Sequence, residues 1–147
     1  MFKKIIILCV GNICRSPVGE AFFKKGLENI DKNIKVSSAG LAALVGHPAH
    51  PIMQELMTQK GMDISDHQAR QVSLKILLDS DLILVMETKH QIELEAMAPN
   101  IRGRVQRLGK WSGFDIPDPF NRPRLFFEQS MALIEQAVTD WQNKLWN

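Results

Sequence analysis

The stretch "IILCVGNICRSPVGEAF", residues 6–22, joins an apolar run to a helical segment through a loop that holds both cysteines of the chain. The continuous apolar run from Ile5 to Cys9 suits a strand covered on both faces, and a helix is expected from Pro17 to about Asn29 with proline in its first turn. Strand, loop and helix in this order form the opening unit of a parallel α/β sheet. The rest of the chain repeats the unit. "IKVSSAG" (34–40), "DLILVME" (81–87) and "RVQRL" (104–108) are the further strand segments. Between them, a helix is expected from Pro51, with Met53, Leu56 and Met57 on one face and Gly61 closing it. Ser73 is placed to cap a short helix. Thr88 and Gln91 have capping-box spacing for another, which runs to about Met97 before Pro99 stops it. A last helix, from about Pro123 to Trp146, carries an apolar stripe at Phe127, Met131, Ile134, Val138, Trp141 and Leu145. The expected fold is therefore α/β, a four-stranded parallel sheet with helices on both faces. Ligands of such sheets bind beyond the carboxyl ends of the strands, which is where "CVGNICRSP" lies.

With 147 residues, 45% of them hydrophobic and 23% charged, the chain reads as one globular domain over residues 1–147. A net charge of +2 with no lysine/arginine block gives no footprint for nucleic acid or an anionic membrane. The longest apolar run, Ile5 to Val10, is far short of the ~20 residues that span a bilayer. "MFKKIIILCVGN" lacks the length and the small-residue cleavage site of an export signal. A cytoplasmic location is expected, where two cysteines are reactive or buried thiols rather than a structural disulfide.

The loop reads C-x5-R-S-P, from Cys9 through Arg15 and Ser16 to Pro17. Backbone N–H groups of a loop folded before a helix converge on one point, and the helix dipole adds positive potential there. Gly11 is expected to supply the backbone freedom for this close approach. Arg15 offers a planar fork able to hold two phosphate oxygens. A cysteine in such a field is a nucleophile poised at phosphorus. A lone cysteine at a strand end is most often a small buried hydrophobe. Arginine at this offset, with glycine between, points to function instead. The nucleotide P-loop pattern G-x-x-x-x-G-K-[ST] is absent. Cys9, Cys14 and the histidines at 47, 50, 67 and 90 have no zinc-ligand spacing, so no metal or other cofactor is expected. Expulsion of an alkoxide or phenoxide needs a proton donor opposite the nucleophile. "DIPDPF", residues 115–120, offers Asp118 and Asp115 on a proline-stiffened loop.

At these residues the chain resembles the low-molecular-weight protein-tyrosine phosphatases. The resemblance rests on "CVGNICRSP" as phosphate loop, on "SSAG", "DHQAR" and "DLILVME" in the middle, and on "IPDPF" as acid loop. It implies Cys9 as nucleophile, Arg15 as phosphate clamp and Asp118 as general acid, then base. It further implies that Val10, Gly11, Asn12, Ile13, Cys14 and Ser16 surround the phosphate, with Ser16 donating to the Cys9 sulfur. Asn12, Ser38 and His67 match the network that holds the loop open. "SAGLAALVGHPAHP" resembles the bacterial branch associated with exopolysaccharide or capsule tyrosine kinases, with Leu44 on the pocket wall where other branches carry an aromatic residue. The implied partner is a phosphotyrosine protein, a bacterial tyrosine autokinase, acted on by a monomer. Ile13, where arginine-phosphatase relatives carry threonine, favours phosphotyrosine. Phe120 stands where the family usually has tyrosine; it can still pack against an aromatic ring. With no tyrosine anywhere in the chain, the protein cannot be regulated through tyrosines of its own.

Two other readings remain beside this one. Arsenate reductase uses the same fold and loop but passes electrons through further cysteines, and none follows Cys14. A phosphate-binding adaptor would bind phosphopeptides without releasing phosphate. For Cys14, packing beneath the loop competes with a protective role. If the loop brings the two Cα atoms within ~4.4–6.8 Å, Cys14 can capture an oxidised Cys9 as a disulfide.

Overall fold

The computed structural model describes residues 2–146. Among them β1 (Lys4–Cys9), β2 (Lys35–Gly40), β3 (Leu82–Val85) and β4 (Val105–Arg107) form a four-stranded sheet in the order β2-β1-β3-β4. All three pairings are parallel. The α-helices are α1 (Arg15–Leu27), α2 (Pro51–Gln59), α3 (Leu74–Asp79), α4 (Thr88–Met97) and α5 (Arg124–Trp146).

Side chains alternate along β1, so one strand feeds two cores. Ile5, Ile7 and Cys9 join Phe23 of α1, Met53 and Met57 of α2, and Phe127 and Ile134 of α5. Ile6 and Leu8 join Leu77 of α3 and Leu94 of α4 on the opposite face. Coverage on both faces is what the unbroken apolar run of β1 requires. Cys9 lies beside Gly40 of β2, and Leu8 beside Val85 of β3. β1 is therefore flanked on both sides, and its carboxyl end opens on the crevice where the chain order reverses. The long α5 buries Phe127, Met131, Ile134, Val138 and Trp141, while Leu145 is only half-buried. Among the described residues no helix is long and apolar enough to cross a membrane.

Two local expectations are corrected. α1 begins at Arg15 rather than at Pro17, which puts the arginine in the first turn. The capping box at Thr88 does not form: Glu87 occupies the cap position and makes no side-chain cap bond there. Instead the Thr88 backbone N–H and hydroxyl donate to the Asp115 carboxylate at 3.1 and 3.0 Å. A carboxylate from a distant loop thus does the capping, which local spacing could not reveal.

Gly40 matters for the site because a Cβ there would lie 2.6 Å from the Val10 carbonyl oxygen and 2.9 Å from the Ala43 Cβ. Both neighbours belong to the loops that shape the crevice. Gly40→Ala is expected to lower stability by about 1–3 kcal/mol, read from the midpoint of urea unfolding.

Candidate active site

Residues 9–14 curl between β1 and α1 with every carbonyl from Cys9 to Ile13 turned outward. Leu41 and Ala42 N–H donate to the Cys9 and Val10 carbonyls at 2.9 Å each, and Leu44 N–H donates to that of Gly11 at 3.1 Å. His67 Nε2 donates to the Asn12 carbonyl at 2.6 Å and His50 N–H to that of Ile13 at 2.8 Å. Because each peptide is planar, the N–H of the same unit points the other way, toward the loop's centre. The centre also faces the first turn of α1, which carries no acidic residue. The result is an anion nest on a helix N-terminus.

Backbone freedom comes from a different residue than expected. Gly11 does not have positive φ; Asn12 does, at 58°. Asparagine tolerates the left-handed region, and here its side chain fixes the turn. Arg70 N–H donates to Asn12 Oδ1 at 3.0 Å, so the amide nitrogen faces Ser16 Oγ at 2.7 Å and Ser38 Oγ at 3.0 Å. Ser38 Oγ donates to Glu20 Oε1 at 2.6 Å. Ser16 Oγ, which accepts from Asn12, is hydrogen-bonded to Cys9 Sγ at 3.0 Å, a contact that either atom can donate, and Asn12 N–H donates to the same sulfur at 3.3 Å. Asn12, Ser16, Ser38 and His67 are thus brought together. The side chains of Asn12 and Ser16 stand beneath the loop, fully buried, rather than on the cavity wall.

The cavity above the sulfur is lined by Cys9, Val10, Gly11, Ile13, Cys14, Arg15, Ala42, Leu44, Asp118 and Phe120. Arg15, 1% exposed, donates from Nη1 to Glu87 Oε2 at 3.0 Å and to the Ile116 carbonyl at 2.8 Å. Both Nη1 hydrogens are committed, which leaves Nε and Nη2 for a ligand. Asp118 Oδ2 lies 3.7 Å from Nη2, and its Oδ1 accepts from Phe120 N–H at 3.1 Å. Asp115 faces away from the cavity. Arg107, at 3.2 Å, and Thr88 hold its carboxyl below the usual carboxylate range against the opposing effect of burial. Ile116 N–H donates to the Met86 carbonyl at 2.9 Å and Ser130 Oγ to that of Pro117 at 2.8 Å, so the 115–120 loop is pinned at its base. Phe120 stands edge-on to His50 at 6.1 Å, and that ring packs on Phe127 at 4.6 Å. Leu44 and Phe120 remain 40% and 43% exposed as the apolar lips of the cavity.

Both cysteines are free thiols. Burial pushes the Cys14 thiol up to about 12, with the Cys9 sulfur and Asp118 adding to the effect, so Cys14 stays protonated near neutrality. The spacing of the motifs did not reveal Glu87, Glu20, Arg70 or Ala42. Glu87 alone left a trace, a carboxylate directly after an apolar strand.

A family model described as low molecular weight phosphotyrosine protein phosphatase matches residues 4–147. The probable low molecular weight protein-tyrosine-phosphatase EpsP of Ralstonia solanacearum is 41% identical over 141 residues, covering 96% of this chain and 94% of its own. The Erwinia amylovora tyrosine phosphatase AmsI superposes with a TM-score of 0.93 at 37% identity, over 100% of this chain and 95% of that one. Vibrio vulnificus Wzb, solved in complex with benzylphosphonate, superposes with a TM-score of 0.91 at 39% identity, over 99% of this chain and 100% of that one. A backbone nest with a cysteine beside it, a family model matched over residues 4–147 and a fold shared over nearly the full length of such relatives assign the chain to the low molecular weight phosphotyrosine protein phosphatase family.

Proposed function

We propose that this phosphatase hydrolyses phosphotyrosine on a bacterial tyrosine autokinase of exopolysaccharide or capsule production, in the cytoplasm, through a phosphocysteine intermediate. The observation that carries the reading is the cavity itself, with Cys9 at its floor and Arg15 and Asp118 on its wall. The Cys9 sulfur attacks phosphorus as the ester P–O bond breaks, and Asp118 gives its proton to the departing phenolate. Water then attacks the phosphocysteine, Asp118 takes a proton from it, and the sulfur leaves with the Ser16 hydroxyl directed at it. Arg15 and the inward N–H groups carry the charge of the transferring phosphoryl group, so the reaction needs no metal. Leu44, Ile13 and Phe120 give the cavity apolar walls suited to an aryl group. Wzb of Vibrio vulnificus, which takes benzylphosphonate, supports the same ligand class here.

The kinase is inferred from the likeness to EpsP and Wzb. The test is release of phosphate, in excess EDTA, from a purified autophosphorylated bacterial tyrosine kinase, beside phosphoserine and phosphoarginine peptides and arsenate with a thiol reductant. Fast release from the tyrosine kinase alone is expected. Faster turnover of phosphoarginine or arsenate would replace the reading, and phosphopeptide binding without release would leave only an adaptor.

A further inference from the structure

His90 belongs to no motif, yet it is 2% exposed and sits directly behind the arginine of the site. It lies on the first turn of α4, with Nε2 3.5 Å from Glu87 Oε2. That same oxygen accepts from Arg15 Nη1 at 3.0 Å. The other ring nitrogen, Nδ1, is buried with no hydrogen-bond partner. These facts select one form of the ring. A proton on Nδ1 would be a buried donor with nothing to meet it, and would turn the Nε2 lone pair toward a carboxylate oxygen. A proton on both nitrogens would add the same orphan donor and place a second cation beside Arg15. The charged groups facing the ring are Glu87, Arg15, Lys89 and Glu93, and burial outweighs them in holding the histidine below its usual range. The neutral ring with its proton on Nε2 is the form that fits.

We propose that His90 is a positioning residue for the phosphate clamp: as a neutral donor it holds the Glu87 carboxylate at one angle, so that Arg15 leans on it through Nη1 and keeps Nε and Nη2 aimed into the cavity. Glu87 sits between strand and helix, partly exposed, with a side chain long enough to turn toward solvent. At 3.5 Å the histidine contact is a directed charge–dipole interaction rather than a tight hydrogen bond, sufficient to bias that side chain. The unpartnered Nδ1 is then a tolerated cost of keeping a neutral donor behind the guanidinium.

The inference rests on Arg15 being the phosphate clamp, and the experiment separates the two. His90→Phe keeps a planar aromatic ring at the site, somewhat larger than imidazole, and removes both the donor and the orphan nitrogen. It is expected to remain folded while the inhibition constant for inorganic phosphate and the KM for p-nitrophenyl phosphate both rise about threefold, less than a full hydrogen bond to a charged group would supply, in keeping with a 3.5 Å contact. His90→Gln, which restores a donor, is expected to recover most of the loss. In a Glu87→Ala background, His90→Phe should add nothing, because the effect passes through the acceptor at position 87. Wild-type phosphate inhibition in a folded His90→Phe protein, or full additivity with Glu87→Ala, would overturn the proposal. Should His90→Phe fail to fold, 15N NMR of the wild type decides: a proton on Nε2 is expected, and one on Nδ1 overturns it. Arg15→Ala tests the clamp itself, since phosphate inhibition surviving that change would remove the premise rather than the role of His90.

Discussion

In the Cys9→Ser variant, hydrolysis of p-nitrophenyl phosphate falls to the uncatalysed background while phosphate still binds. The two halves of this result have separate causes. The nest that holds the anion is built from Arg15 and from inward N–H groups whose carbonyls are tied outward to residues 41, 42, 44, 50 and 67; the Asn12 N–H touches the sulfur, but the outward ties do not involve it. The chemistry depends on it wholly, because a serine hydroxyl near neutrality is un-ionised and a weak nucleophile, and no histidine lines the cavity to take its proton. Isothermal titration with inorganic phosphate and a steady-state assay on the same preparation check both halves. Wild-type turnover in the variant would remove Cys9 as nucleophile. Loss of phosphate binding as well would mean that the sulfur helps to hold the loop in shape.

Asp118→Ala is expected to lower kcat on a phosphotyrosine peptide by about 10²–10⁴, with Asp115→Ala far less damaging to turnover. The difference lies in what each carboxylate touches. Asp118 is on the cavity wall, with one oxygen fixed by Phe120 N–H and the other 3.7 Å from Arg15 Nη2. Asp115 is spent on Thr88 and Arg107, where it caps the N-terminus of α4 and braces the loop from behind. Its loss should therefore show mainly in stability, about 1 kcal/mol as for other helix caps. Leaving-group dependence gives a second check. A nitrophenolate leaves without a proton, so Asp118→Ala should cost less on p-nitrophenyl phosphate than on phosphotyrosine. If Asp115→Ala lowers kcat and Asp118→Ala does not, the general acid is the other carboxylate.

How much of this was legible beforehand depended on the range of each interaction. Strands and helices were readable because apolar period is a local property, and β1 and α5 show it without interruption. The offset between Cys9 and Arg15 was readable for the same reason: a turn of that length fixes the distance between its ends. Where geometry depended on a partner far along the chain, spacing misled or stayed silent. Thr88 and Gln91 have the right separation for a capping box, yet a carboxylate at position 115 satisfies the helix instead. Gly11 was the obvious residue for an unusual backbone angle, but Asn12 takes it because Ser16, Ser38 and Arg70 reward its side chain there.

The sequence by itself determined the parallel α/β architecture, the phosphate loop and the residue that ends its strand, since all of these follow from contiguous pattern and backbone sterics. Only the tertiary structure decided which residue bears the left-handed turn and that Glu87 and His90 stand in line behind Arg15, and it put Asp118, the aspartate the family resemblance favours, on the cavity wall. Those choices are made by side chains that meet at the carboxyl end of the sheet from separate segments of the chain, and contacts of that kind leave no period in the sequence.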